Sequence, residues 1–231
     1  MTMATDIAGL DSIERAKYII RNRKVDSYDE AYSTFIRAAD RGEHEAEYGL
    51  GLMYARGQYV QKNHASAKAW FEKAERGGNM NAAYFLGKIH SLGLGTIKDI
   101  SKARMYFLEA AESHDVRAEY ELGLIYFRND GIPRDFDKAA EWLTKAAKHG
   151  HAEAQFVLGQ FYKNGIGTEV NMEYCVDWLV HAAMNRHKGA QILLGNMYKL
   201  GDGVEKNTEE SDRWYDMADG KTTPGNSVGR T

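Results

Sequence analysis

The pair His149 and His151, in the stretch AKHGHAEA, brings two imidazoles close enough in sequence to suggest a metal site. A zinc centre needs three or four ligands of suitable type, and no third or fourth ligand lies nearby in sequence. The two therefore read as turn histidines. His181 and His187 are no better placed, and no His-Glu-x-x-His pattern occurs. The single cysteine, Cys175, falls in a column with Ala31, Ala67, Ala103, Ala139 and Ser211, which makes it a buried packing thiol and not a nucleophile. GLGTIKD and GIGTEVN look superficially like phosphate loops but lack the Gly-Lys-Ser/Thr ending and a preceding strand. Acidic residues are spread along solvated faces, with no apolar site that would raise a carboxyl pKa. No catalytic residue, cofactor or metal site is expected, and the chain does not read as an enzyme.

The composition points the same way. Of 231 residues, 43% are hydrophobic and 27% charged, enough for a folded chain and unlike disorder. A net charge of −3 supplies no field for nucleic acid, and no apolar run could span a bilayer. One cysteine agrees with a reducing compartment, and the N-terminal MTMATDIAGLDSIERAKYIIRNRK has no apolar secretory core. The expected location is the cytoplasm. The sequence leaves oligomeric state open.

The elements that position these residues repeat. Leu50-Gly51, Leu86-Gly87, Leu122-Gly123, Leu158-Gly159 and Leu194-Gly195 recur every 36 residues. Trp70, Tyr106, Trp142, Trp178 and Trp214 form an aromatic column expected in the core, and Ala38, Ala74, Ala110, Ala146, Ala182 and Ala218 form another. Each unit reads as two amphipathic helices joined by a glycine-rich loop such as Gly165 and Gly167. Asn129 and Tyr59 replace loop glycines and predict altered loops. The second helices are expected to start behind the caps Ser27, Asn63, Asp99, Asp135, Asn171 and Asn207, with capping boxes at Ser27/Glu30 and Asn207/Glu210. The mid-helix glycine costs about 1 kcal/mol against alanine. It is expected because a missing Cβ lets an adjacent helix approach. Arg15, in its place in the first unit, predicts a terminal cap facing water.

The order Ala, aromatic, Leu-Gly, aliphatic, Tyr, Gly-x-Gly, Asp, Lys-Ala, Trp/Tyr-Tyr/Phe, Ala-Ala in AAYFLGKIHSLGLGTIKDISKARMYFLEAAESH and its counterparts resembles the Sel-one-like repeats, relatives of the tetratricopeptide repeats. The resemblance implies an all-α solenoid, a right-handed superhelix of about six 36-residue helix-turn-helix repeats. One repeat domain over 1–219 is expected: a degenerate capping repeat at 7–42, repeats at 43–80, 81–116, 117–152, 153–188 and 189–219, and a disordered tail at 220–231. Family members described as binding or cleaving β-lactams rely on paired cysteines, which this chain lacks.

Comparing the units with one another leaves a variable stripe on the first helices, at steps of four, three and four. It runs Glu45, Gly49, Leu52, Arg56; Asn81, Phe85, Lys88, Leu92; Arg117, Glu121, Leu124, Arg128; Glu153, Val157, Gln160, Asn164; Gly189, Leu193, Asn196, Leu200. The resemblance implies that the first helices line the concave side. The expected function is a non-enzymatic adaptor that binds a protein or peptide there, with Leu52, Arg56, Phe85, Lys88, Leu92, Arg117, Glu121, Leu124, Arg128, Val157, Gln160, Asn164, Leu193, Asn196 and Leu200 as the contact set. The alternative is an immunity or inhibitor protein that neutralises one toxin or enzyme. A β-lactam-binding hydrolase stands further off.

Overall fold

Residues 11–222 are described by the computed structural model, and among them every regular element is helical. The chain divides into two compact units, Met1–Asp115 and Val116–Thr231. In the first lie α1 (Ser12–Arg21), α2 (Tyr28–Ala39), α3 (His44–Arg56), α4 (His64–Arg76), α5 (Met80–Leu92) and α6 (Ile100–Glu112), with a 3-10 turn at Val25–Ser27. The second holds α7 (Val116–Phe127), α8 (Phe136–Lys148), α9 (Ala152–Asn164), α10 (Met172–Met184), α11 (Lys188–Leu200) and α12 (Thr208–Ala218). Odd-numbered helices pack on the even-numbered helix that follows, and within each unit successive pairs stack, α2 on α3, α4 on α5, α8 on α9 and α10 on α11. Part of the expected tail, 223–231, and the start of the expected capping repeat lie outside the described residues.

The Leu-Gly pair makes the two-helix unit. Leu50, Leu86, Leu122, Leu158 and Leu194 are fully buried. A Cβ on Gly51 would stand 2.5 Å from the Phe71 ring, one on Gly87 2.5 Å from Phe107, and one on Gly123 2.7 Å from Leu143. These are the second helices of the same repeats, so the glycine lets each pair close on itself. Arg15, in that place in the first unit, keeps 43% of its side chain exposed. It faces α2, where its Nε lies 2.7 Å from Glu30.

The aromatic column is displaced by one residue from the expected core. Trp70, Tyr106, Trp142 and Trp178 are half-buried, and Trp214 alone of the column is buried. The fully buried column is the next one, Phe35, Phe71, Phe107, Leu143 and Leu179. The tryptophans instead lie along the rim of the second helices, where Lys73 stands 4.3 Å over Trp70 and Lys145 3.9 Å over Trp142.

Five of the expected caps close on the backbone: the side chains of Asn63, Asp99, Asp135, Asn171 and Asn207 each accept the N–H three residues on, at 2.9 to 3.0 Å. Ser27 makes no such bond, because the 3-10 turn leads into α2 there. The capping boxes do not form either. The Asn207 N–H donates to the Tyr198 carbonyl at 2.9 Å, so it has no need of Glu210, which pairs with Arg213, and Glu30 is taken by Arg15. Asn63, Asp99, Asp135 and Asn171 repeat this backbone bond to Tyr54, His90, Tyr126 and Tyr162. In the loops, Tyr59 keeps the positive φ of the glycines it replaces, at 67°, while α7 ends a residue early ahead of Asn129, whose φ is 28°.

Candidate interaction surface

The stripe of variable first-helix positions splits into rows of different character. Its last row, Arg56, Leu92, Arg128, Asn164 and Leu200, is exposed throughout, with Leu92 58% and Leu200 74% accessible. In the first row, Glu45, Asn81, Arg117 and Glu153 are exposed too. Glu45 accepts from Asn79 at 2.9 Å and pairs with Lys17 at 3.0 Å, while Glu153 meets His187 Nε2 at 2.9 Å.

The middle rows are drawn into the packing. Phe85 was expected as an open contact, but its ring stacks at 5.1 Å on Phe71 of the preceding repeat and lies 5.9 Å from Tyr48. Leu52 is buried at 7%. Glu121, Leu124, Val157, Gln160, Leu193 and Lys88 are half-buried, and Asn196 is exposed, accepting from the Tyr215 hydroxyl at 2.8 Å. The cause is geometric. Steps of four, three and four drift around a helix of 3.6 residues per turn, so the second row faces the preceding second helix: a Cβ at Gly49 would stand 2.6 Å from the Phe35 ring.

Two of the histidines serve the backbone. His151 Nδ1 accepts from Ala154 N–H at 3.2 Å and His187 Nδ1 from Ala190 N–H at 3.0 Å, capping α9 and α11. Each ring stacks on an aromatic neighbour, His151 on Tyr120 at 4.5 Å and His187 on Phe156 at 4.4 Å. Burial holds the His151 pKa below its usual value, which keeps the accepting nitrogen bare. His149 Nδ1 lies 2.8 Å from Glu119, a buried carboxylate. His181 is exposed beside Trp178. A pair of buried glutamines joins successive repeats. Gln155 and Gln191, both 4% exposed, donate across the repeat junction to the carbonyls of Ala147 and Ala183 at 3.0 Å. Their 36-residue spacing was the available signal.

Cys175 is fully buried, and burial raises its pKa, as suits a packing thiol. One carboxyl departs from the expectation that none is raised. Glu109 on α6 is pushed up to about 7, first by desolvation and then by the charge of Glu75 on α4, to which it is hydrogen-bonded. A carboxyl whose pKa is higher folded than unfolded favours folding while protonated, and that contribution is lost as pH rises from about 4.5 to about 7. Glu109→Gln should therefore melt like the parent near pH 4.5 and above it at pH 8. Equal melting temperatures at both pH values would show that the Glu109 carboxyl is not raised by its burial and by Glu75.

The Sel1 repeat profile matches residues 44–79, 81–115, 116–151, 152–187 and 189–218, and the chain belongs to the Sel1 repeat family. Among solved structures it is similar to a Sel1 repeat protein from Oxalobacter formigenes, at 29% identity over 90% of this chain and 84% of that one, with a TM-score of 0.81. A protective antigen with the SLR fold from uropathogenic Escherichia coli strains is 29% identical over 90% of this chain, with a TM-score of 0.80, and the chain spans 48% of that protein's length. An immunity protein from Pseudomonas aeruginosa shares the fold at 16% identity, over 83% of this chain and 73% of that one, with a TM-score of 0.53. No curated protein matches the chain. The fold is that of an α-solenoid repeat protein, and no described helix is long and apolar enough to cross a membrane.

Proposed function

We propose that the protein is a non-enzymatic interaction module that binds a protein or peptide on the exposed rows of its first helices. The observation that carries this reading is the last row of the stripe. Leu92 and Leu200 stand 58% and 74% exposed at the ends of α5 and α11, in the same register as Arg56 and Arg128, at positions that packing leaves free to vary. Apolar residues interspersed with arginine are the side chains that protein interfaces favour. The repeat family is a general protein-interaction scaffold, which supports the reading without naming a target. A role as an immunity protein would require one tight partner, and the likeness at 16% identity bears on fold alone.

The test compares two double variants in affinity purification from the native host with quantitative mass spectrometry. Arg128→Glu with Leu200→Asp, both in the second unit, should lose a co-purifying protein by about 30-fold, the equivalent of ~2 kcal/mol for a pair of anchors. Lys102→Glu with Glu173→Lys, exposed on second helices, should retain it. Loss in the second variant and retention in the first would place the interface on the other face.

A further inference from the structure

In the first unit a notch of about 120 Å³ opens between α1 and α3. Its floor is apolar, made by the edges of Ile20, Tyr48 and Leu52 around Gly49. Gly49 offers only backbone to the notch. At the second row the other repeats carry Phe85, Glu121, Val157 or Leu193, and this one carries no side chain. The glycine is imposed from behind, since the Phe35 ring would stand 2.6 to 2.8 Å from any Cβ built there.

The rim is cationic. Lys17, Arg21 and Arg56 border the notch. Lys17 is already engaged with Glu14 at 2.8 Å and Glu45 at 3.0 Å. Arg21 and Arg56, in the last turns of α1 and α3, are exposed and have no carboxylate within 4.0 Å among the described residues. An arginine fork matches a carboxylate in planar, bidentate geometry, and an apolar floor beneath it excludes water from the pair.

We propose that this notch receives an acidic peptide segment of a partner protein, with one aliphatic side chain seated over Gly49 and the flanking carboxylates held by Arg21 and Arg56. The proposal rests on the reading of the first helices as the binding face and gives that face a ligand class. Opposite charge selects the segment, and the single apolar side chain sets its register. A basic segment would meet Arg21 and Arg56, neither of them paired with a carboxylate, and is disfavoured.

The probe is the fluorescent-labelled, end-blocked peptide Asp-Glu-Leu-Glu-Asp, followed by anisotropy and by amide chemical shifts of the full chain. It should bind, with shifts confined to α1 and α3. The Arg21→Glu, Arg56→Glu double variant should weaken it about 100-fold, and Arg21→Lys with Arg56→Lys by about tenfold. Changing the peptide's leucine to alanine should cost about tenfold, and Lys-Lys-Leu-Lys-Lys should not bind. Circular dichroism of each variant, whose changes lie at exposed positions, reports that folding is intact. Unchanged affinity in the charge-reversed variant, or no binding of the acidic peptide, overturns the notch. Shifts on α9 and α11 without α1 and α3 overturn the notch alone and leave the stripe reading standing. Shifts confined to the second helices overturn both.

Discussion

Phe71→Ala is expected to destabilise the first unit by about 3–5 kcal/mol, read as a lower denaturant midpoint and as faster amide exchange in α3 and α4. Phe71 is fully buried, meets Gly51 of its own repeat and stacks at 5.1 Å on Phe85 of the next. Removing the ring opens a cavity that touches three helices. The sharper measurement is the cycle with Gly51→Ala. In the parent, alanine gains about 1 kcal/mol of helix propensity but drives a Cβ to 2.5 Å from the ring, and overpacking of about 1–3 kcal/mol outweighs the gain. With the ring gone the clash is gone, and the same substitution should stabilise by about 1 kcal/mol. That change of sign is the signature of two residues acting as one contact. If Gly51→Ala destabilises equally in both backgrounds, something other than Phe71 demands the glycine.

The glycine at this position was legible in the sequence because its requirement is chemically strict. Only the absence of a Cβ satisfies it, so the same letter returns at Gly51, Gly87, Gly123, Gly159 and Gly195. The ring column it answers was less legible because the requirement there is for volume. Phe35, Phe71, Phe107, Leu143, Leu179 and Tyr215 all fill the space, and the mixture of types hides behind the more uniform tryptophan column one residue earlier. The caps divide in the same way. Asn and Asp before the second helices are conspicuous, whereas the positions before the first helices hold the mixture Glu43, Asn79, Asp115, His151 and His187, in which the two histidines cap with their rings.

The candidate site was legible as a set of positions but not as a surface. Variation between repeats marks a stripe along the first helices, yet it does not separate positions freed by water from positions that pack differently in each repeat. Phe85 varies because it fills space over Phe71, and Gly49 varies because Phe35 fills that space instead. Both look unconstrained when only one helix is considered. The choice between ring and glycine at this row is made in a neighbouring repeat, at Phe35, 14 residues before Gly49.

Excising residues 153–188, one period of 36, should leave a shorter protein that is still helical and melts cooperatively, with a smaller denaturant slope because less surface is buried. The junction is specific. Joining Ala152 to Gly189 leaves His151 in front of the new first helix, three residues ahead of Ala190, the spacing at which it now caps Ala154. Gln191 then falls where Gln155 stood and can donate to the Ala147 carbonyl, as it now does to that of Ala183. Excising 153–170 removes α9 with its loop and sets α10 beside α8, two second helices with no Leu-Gly position between them. The Leu179 side chain, now packed against Gly159, would lose the surface it fits. Broad, non-cooperative unfolding is the expected result for that half-period deletion. Equal cooperativity in the two would show that the chain does not stack by the 36-residue register, and would remove the packing argument on which the assignment of the first-helix face depends.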